Sequence, residues 1–481
     1  MNEGLRKKTL NNLMYSFSAQ IISVLLSTFM SLVVPKILGI KEYGYWQLFL
    51  FYINYVGFFH FGITDGMYLK NGGIEYEKID KRNISSQFYT LLITQILILI
   101  IVSSLSITFI TNSIRMMILI CTGIYMIIAN MNWFLGYVFQ ATNRVKLYSI
   151  SVMIDKIIFL IFIILSFIFK FKNLYVYIPF FIFTTFCALL FSVYNSKEIV
   201  FTKPYPLKDS FKLSYQSAKV GINLTLASVS SMLILGVGRF LVDKVWGIES
   251  FGKFSFSLSL TNFFLLFIAQ VSVVLFPTLR QVKPETAKKL FKTFNNMLNS
   301  YLPLIYVLYI PMKFILGLWL PQYKISLNYL AMLLPICIFD GKNQMINNTY
   351  FKVLREEKKM LKINIITLII STILSFVSVY FFKNIYFVII TMLISVAFRS
   401  IYGELYLYKK MNVESNIKGT IYELIYSILF VTYNITMNNL YAFVSIIITF
   451  IIYIIITKSY KYYYETIESV NKRLIKRKKS V

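Results

Sequence analysis

Histidine and cysteine are scarce in this chain, which has one histidine and three cysteines among its 481 residues. Cys121, Cys187 and Cys337 each fall within an apolar stretch and outside any paired motif, so we interpret them as small apolar side chains. Zinc sites are built from clustered cysteine and histidine. A bound metal is therefore not expected, and no cofactor is predicted.

Charged residues are also few. They make up 14% of the sequence, whereas hydrophobic residues make up 57%. A soluble domain of this length would need far more charge to cover its surface. Apolar runs of about 20 residues, each long enough to cross ~30 Å of hydrocarbon, recur from one end of the chain to the other. The composition therefore predicts an all-α integral membrane protein.

The apolar runs predict about 14 transmembrane helices, numbered here in chain order as helices 1 to 14. They lie at roughly 13–34, 44–64, 86–110, 114–139, 148–169, 174–195, 220–242, 254–276, 294–314, 326–349, 361–382, 384–406, 420–436 and 439–457.

Acidic residues are outnumbered: 20 Asp and Glu stand against 49 Lys and Arg, which gives a net charge of +29. If the N-terminus is cytoplasmic, most of the cations fall in cytoplasmic segments, as is usual for membrane proteins. We therefore predict a multi-pass cell-membrane protein with both termini in the cytoplasm, and no nucleic-acid partner. The basic tail, 458–481, is expected to bind anionic membrane lipids. A regulatory or protein-binding tail is the alternative.

One short stretch occurs twice. LGIKEYGYWQLF at 38–49 returns 208 residues later within WGIESFGKFSFS at 246–257. In each copy two glycines flank a turn, and an aromatic residue, Tyr43 or Phe251, precedes the second glycine. We interpret both copies as tight outer turns that need a positive φ and that anchor a ring at the membrane interface.

A weaker repeat follows helices 4 and 10, where FQATNRVKLYSI resembles YFKVLREEKKMLKIN. An even number of spans separates the copies, so the two halves are predicted to be parallel repeats with a binding site between them. The predicted organisation is an N-lobe of helices 1–6 at 1–195, a cytoplasmic linker at 196–216, a C-lobe of helices 7–12 at 217–410, helices 13–14 at 411–457, and the basic tail.

With these features the sequence resembles the polysaccharide transporter family. The resemblance rests on the pattern L-G-x-x-x-[YF]-G after helix 1, its second copy after helix 7, the segment NFFLLFIAQVSVVLFPTLRQV, and FILGLWLPQYKISLNYLAML around helix 10. Members of that family are bacterial flippases for lipid-linked oligosaccharide repeat units, within a superfamily that also holds multidrug and toxin extrusion transporters. The resemblance implies a transporter rather than an enzyme, with a polysaccharide polymerase and chain-length proteins as partners.

Four cations lie inside predicted spans: Lys156, Arg239, Lys342 and Arg399. Each would cost ~2.5–3.5 kcal/mol if it faced lipid, so we expect these side chains to face an aqueous cavity or to reach an interface. Arg239 lies four residues before Asp243, and this pair is interpreted either as self-neutralised or as a cargo contact.

The remaining three cations differ in their neighbours. Lys156 follows Asp155, but adjacent residues point apart on a helix, so each is expected to need another partner. Arg399 has no acid three or four residues away and is predicted to be the least neutralised.

Amides add to the candidate site. Helix 10 contains CIFDGKNQMINNTYF, in which Asn343 and Asn347 share a face with each other. We interpret this segment as a cavity wall, and a wetted cytoplasmic helix end is the alternative. In helix 1, Gln20 belongs to a serine-rich face that fits either the pathway or close helix packing.

Cations, amides and hydroxyls together suit a polyprenyl-diphosphate-linked oligosaccharide. Arginine binds the phosphates and amides bind the sugar hydroxyls. The predicted function is therefore alternating-access flipping of repeat units for capsule or another surface polysaccharide. The alternatives are a multidrug exporter of the same fold, disfavoured because helix 1 has no acid and the cavity is expected to be positive, a lipid II flippase, and a membrane glycosyltransferase or polymerase.

Overall fold

The computed structural model describes residues 3–464 and 468, except for the side chains of residues 3–21, 267, 269–278, 280 and 281. Most of the predicted basic tail, from 465 on, therefore lies outside the described residues, as does the side chain of Gln20.

The described chain is built from helices, and no strand occurs among its described residues. In chain order the α-helices are α1 (Glu3–Ile53), α2 (Ile63–Asn71), α3 (Lys81–Phe109), α4 (Ser113–Ala141), α5 (Val145–Phe169), α6 (Leu174–Tyr194), α7 (Lys197–Val200), α8 (Leu207–Gln281), α9 (Pro284–Tyr301), α10 (Leu304–Trp319), α11 (Lys324–Lys342), α12 (Asn348–Val353), α13 (Glu357–Val377), α14 (Ile385–Met411), α15 (Ile417–Thr436) and α16 (Asn439–Thr457). Short 3-10 turns occupy Val56–His60 and Pro321–Tyr323, and π-helical turns occupy Asn343–Asn347 and Ser378–Phe382.

The all-α membrane fold is confirmed. Within the described residues, 11 segments are long and apolar enough to cross a membrane. Two of them, Ile22–His60 and Leu207–Leu266, are 39 and 60 residues long, and each covers two predicted spans or parts of them. The predicted span 420–436 coincides with α15, which is not among the 11.

The chain divides into two compact units, Met1–Phe256 and Ser257–Val481. The division falls within α8, so the stretch predicted as helix 7 belongs to the first unit by contacts. The predicted lobes were defined by the sequence repeat rather than by contacts, and they stay a prediction.

Both copies of the repeated turn are single-residue kinks inside long helices. Gly39 interrupts α1 with φ 76° and ψ 179°, and Gly247 interrupts α8 with φ 77° and ψ 179°. This backbone region is essentially restricted to glycine. The predicted positive φ is therefore confirmed at the first glycine of each copy, and the nearly identical angles support the alignment of the two stretches.

The second glycine of each copy has a different role. A Cβ on Gly44 would lie 2.4 Å from the carbonyl oxygen of Ile248, and a Cβ on Gly252 would lie 2.9 Å from the Cα of Gly44. These glycines let the two copies pack backbone to backbone within the first unit. Tyr43 and Phe251 are 1% and 0% exposed inside that unit, so their rings pack within the protein and do not anchor it in lipid headgroups as predicted.

We expect Gly44→Ala to destabilise the protein by about 1–3 kcal/mol, the usual cost of overpacking a tight contact. Thermal unfolding of the purified protein in detergent measures this loss. The matched control is Gly317→Ala in α10, where the nearest heavy atom to the new Cβ is 3.9 Å away. That variant should be as stable as the parent or more stable, since alanine favours a helix. Equal losses in both variants would contradict the packing role of Gly44.

Candidate functional site

The polar segment of the predicted helix 10 is buried in the second unit. It runs through the end of α11 and a π-helical turn, Asn343–Asn347, and this turn packs against α14. Asp340, Lys342, Asn343 and Asn347 are between 1% and 6% exposed. The segment is therefore not a wetted helix end. Its polar side chains must find partners on neighbouring helices, because buried polar groups without partners are costly.

Arg399 on α14 forms a buried ion pair with Asp340 on α11. The guanidinium is 3% exposed, and Gln344 donates a hydrogen bond to the second oxygen of Asp340 at 2.8 Å. The expectation that Arg399 is the least neutralised cation was wrong. Its acid lies 59 residues away in sequence, beyond the i±3 and i±4 positions that a single helix offers.

Lys342 forms a second buried ion pair, with Glu423 on α15. Their side chains are 2% and 0% exposed. Glu404 on α14 is 3% exposed and lies within electrostatic range of both residues. In this conformation the two cations face neither lipid nor an aqueous cavity, because carboxylates from other helices neutralise them.

The two asparagines fix the contact between the π-helical turn and α14. Asn347 donates a hydrogen bond to the carbonyl oxygen of Ser400 at 3.0 Å and to Oδ1 of Asn343 at 3.5 Å. Ser400 is adjacent to Arg399 in sequence. The predicted shared face of Asn343 and Asn347 is therefore confirmed, and it lies beside the ion pairs.

We define the charged cluster as Asp340, Lys342, Arg399, Glu404 and Glu423. Fully ionised, its three carboxylates and two cations give a formal charge of −1. Among the described residues, one oxygen each of Glu404 and Glu423 is buried without a hydrogen-bond partner. An uncompensated buried charge is expensive, so the cluster calls for one bound proton or one monovalent cation. The expected excess of positive charge was wrong for this cluster.

The other two predicted cations lie in the first unit. Arg239 donates hydrogen bonds to Ser255 at 3.1 Å and to Gln47 at 3.4 Å, and its guanidinium also lies 5.1 Å from the ring centre of Phe51. The interpretation that Asp243 neutralises Arg239 was wrong. Asp243 instead accepts two hydrogen bonds of 2.6 Å from Arg115.

Lys156 lies 3.8 Å from its sequence neighbour Asp155, measured from Nζ to Oδ2. The expectation that these residues need separate partners was wrong for the lysine, because its long side chain bends back. Asp155 does have a further partner, and it accepts a 2.7 Å hydrogen bond from Thr184. Lys156 is 26% exposed at its side chain.

Sequence reasoning did not place the two glutamates of the cluster in the candidate site. Glu423 lies inside the predicted span 420–436, and Glu404 lies inside 384–406. An ionisable residue within a span is itself evidence of a functional or paired position. The rule that selected the four cations would have found both acids had it been applied to carboxylates.

The second unit of this all-helical membrane fold therefore contains two buried ion pairs that link its helices. No family model and no curated protein matches the sequence. The fold matches solved transporters of the MOP superfamily at low sequence identity, which shows the fold alone.

One similar structure is a multidrug resistance MATE family transporter of the MOP superfamily in an inward-facing conformation, with a TM-score of 0.59 and 13% identity over 83% of this chain and 98% of that one. A second is the lipid II flippase MurJ in an inward closed conformation, with a TM-score of 0.58 and 15% identity over 94% and 99%. A third is a mutant of the Vibrio cholerae MATE transporter VcmN, with a TM-score of 0.56 and 13% identity over 86% and 98%. The chain therefore has the fold of a MOP superfamily transporter.

Proposed function

We propose that this protein is a flippase that moves polyprenyl-diphosphate-linked oligosaccharide repeat units across the bacterial cytoplasmic membrane by alternating access. The product would serve assembly of capsule or another surface polysaccharide. The observation that carries the proposal is the pairing of Arg399 and Lys342 with carboxylates inside a transporter fold. Two preformed cations, close to the buried amides of Asn343 and Asn347, match a diphosphate that carries sugars.

The proposed mechanism is an exchange of anions. In the conformation described above Asp340 and Glu423 neutralise Arg399 and Lys342, which avoids the large cost of isolated buried charges. When the second unit opens, the diphosphate takes the place of these carboxylates. Arginine suits this exchange, because its planar fork binds phosphate oxygens in a bidentate manner, while lysine acts as a point charge.

Because the cluster has one more carboxylate than cations, binding of an ion to its acids could drive the exchange of carboxylates for diphosphate. One proton or monovalent cation held between Glu404 and Glu423 compensates the surplus charge of the paired state. Uptake of a second one by Glu423 would weaken the hold of Glu423 on Lys342. The ammonium group of Lys342 would then be available to bind the diphosphate of the cargo. Loss of that ion would restore the ion pair and favour release.

The same acids favour a second candidate, multidrug export. Three carboxylates against two cations suit a cationic drug, and two of the structural neighbours described above are named as MATE transporters. Lipid II is a further cargo of the diphosphate class, suggested by the likeness to MurJ. No enzymatic role is proposed, and a polysaccharide polymerase and chain-length proteins remain the proposed partners.

A deletion strain tests the proposed function. We expect loss of surface polymer and accumulation of lipid-linked repeat units, with unchanged susceptibility to cationic drugs, because the cargo would no longer reach the outer leaflet. Plasmid-borne wild-type protein should restore the polymer, whereas Arg399→Ala and Lys342→Gln should not. Intact polymer together with raised drug susceptibility would refute the flippase and favour the exporter. Arrested cell-wall growth with intact surface polymer would favour lipid II as cargo.

A further inference from the structure

A pocket of about 280 Å³, lined mostly by polar residues, lies in the second unit, and no residue of the charged cluster lines it. It is lined by the end of α9, the start of α15 and the segment that follows α16. The candidate span Asn439–Ile456 ends directly before this segment. The pocket therefore lies at the level where a membrane span meets water.

Hydrogen bonds join the segments that line the pocket. Ser300 of α9 donates a hydrogen bond to Ser459 at 2.8 Å, and its carbonyl oxygen accepts one from Tyr463 at 2.5 Å. Asn416, which caps α15, donates to Asn296 of α9 at 3.2 Å. These contacts tie the segment after α16, and the start of α15, to the end of α9.

Three side chains in this pocket lack partners among the described residues. Asn299 is 4% exposed, and neither atom of its amide has a hydrogen-bond partner there. Lys458 and Lys461 also line the pocket, and neither has a carboxylate of the described chain within ion-pair distance. A buried amide left unpaired is costly, so a ligand that pairs with it gains affinity.

The three side chains without partners among the described residues define the chemistry of that ligand. The two ammonium groups and Nδ2 of Asn299 need acceptors with negative charge, which phosphate oxygens supply. The carbonyl oxygen Oδ1 of Asn299 needs a donor, which a hydroxyl supplies and a phosphate diester alone does not. The volume is close to the lower end of the ~300–1,000 Å³ found for small-molecule sites, enough for a headgroup and too little for an oligosaccharide.

We propose that this pocket binds the headgroup of an anionic phospholipid, a phosphate ester that carries free hydroxyl groups, of which phosphoglycerol is the simplest example. The pocket lies where such headgroups are found, at the end of a membrane span. Lysines at this level attract anionic lipid. The lipid would hold the ends of α9, α15 and α16 together, and this role does not depend on the identity of the transported cargo.

The test uses the purified full-length protein in detergent and measures lipid binding by native mass spectrometry. The probe is dioctanoyl phosphatidylglycerol, with dioctanoyl phosphatidylcholine and inorganic phosphate for comparison. We expect one saturable phosphatidylglycerol site. The double substitution Lys458→Gln with Lys461→Gln should weaken binding roughly 10- to 30-fold. The control, Lys358→Gln with Lys362→Gln, removes two exposed lysines of α13 and should change binding less than about twofold.

A second variant separates binding from folding. Asn299→Leu should bind phosphatidylglycerol several-fold more weakly without a lower unfolding temperature, because it removes an unpaired amide rather than a made hydrogen bond. Equal binding of phosphatidylcholine, equal loss in the control, or unchanged binding in both pocket variants would overturn the proposal. Displacement of the lipid by inorganic phosphate at similar concentration would overturn its assignment to a lipid headgroup.

Discussion

Arg399→Met is expected to lower the free energy of unfolding by about 3–5 kcal/mol, because it leaves Asp340 buried without its cation. The double variant Arg399→Met with Asp340→Leu should regain most of that loss, since well-packed apolar residues replace buried ion pairs at little cost. Denaturant unfolding of the purified protein in detergent measures both values. The double variant should nevertheless fail to restore surface polymer in the deletion strain.

An exposed ion pair on the same helix provides the control. Lys410 of α14 pairs with Glu356, but the lysine side chain is 48% exposed. Lys410→Met should cost at most about 1 kcal/mol, the usual value for a surface pair. A loss as large as that of Arg399→Met would show that the ion pair of Arg399 is not enclosed. A double variant that supports full polymer would remove Arg399 from the transport mechanism.

Glu423→Gln is expected to destabilise the protein and Glu404→Gln is not, although the two side chains are almost equally buried. Glu423 neutralises Lys342, so its loss should destabilise the protein by about 3–5 kcal/mol. Glu404 is the surplus carboxylate, so an isosteric amide should leave stability unchanged or raise it by about 1–3 kcal/mol. The same denaturant unfolding experiment measures both effects.

This pair of variants tests the count of charges in the cluster. Losses of similar size in Glu423→Gln and Glu404→Gln would mean that both acids stabilise the cluster as carboxylates, which would contradict the assignment of Glu404 as the surplus acid. If Glu404→Gln is stable but inactive in the polymer assay, the proposed exchange of a proton or cation is supported. If it is stable and fully active, Glu404 has no part in transport.

Much of the fold follows from the sequence, because span length and apolar composition are local properties. The kinks at Gly39 and Gly247 were predictable from the repeat, since glycine adopts a positive φ far more readily than other residues. The packing of Gly44 on Gly252 was not, because the sequence does not reveal which backbones approach each other. For the same reason the sequence predicted that the rings of Tyr43 and Phe251 lie at a membrane interface, whereas the structure buries them inside the first unit.

The sequence singled out the two cations of the charged cluster, but not the carboxylates that pair with them. The free-energy cost of a charged side chain at bilayer depth correctly indicated that Arg399 and Lys342 do not face lipid. Their partners, Asp340 and Glu423, lie on other helices, and pairing across helices depends on packing that periodicity cannot supply. For this reason both cations are buried beside a carboxylate rather than in contact with water.

Flipping in reconstituted vesicles tests the exchange of carboxylate for diphosphate most directly. Purified protein is placed in liposomes with a fluorescent polyprenyl-diphosphate oligosaccharide, and the fraction of lipid that crosses the bilayer is followed by its access to an external quencher. We expect rapid crossing with the wild type, and crossing no faster than in protein-free liposomes with the stable double variant Arg399→Met with Asp340→Leu. Wild-type rates in that double variant would contradict the proposed exchange.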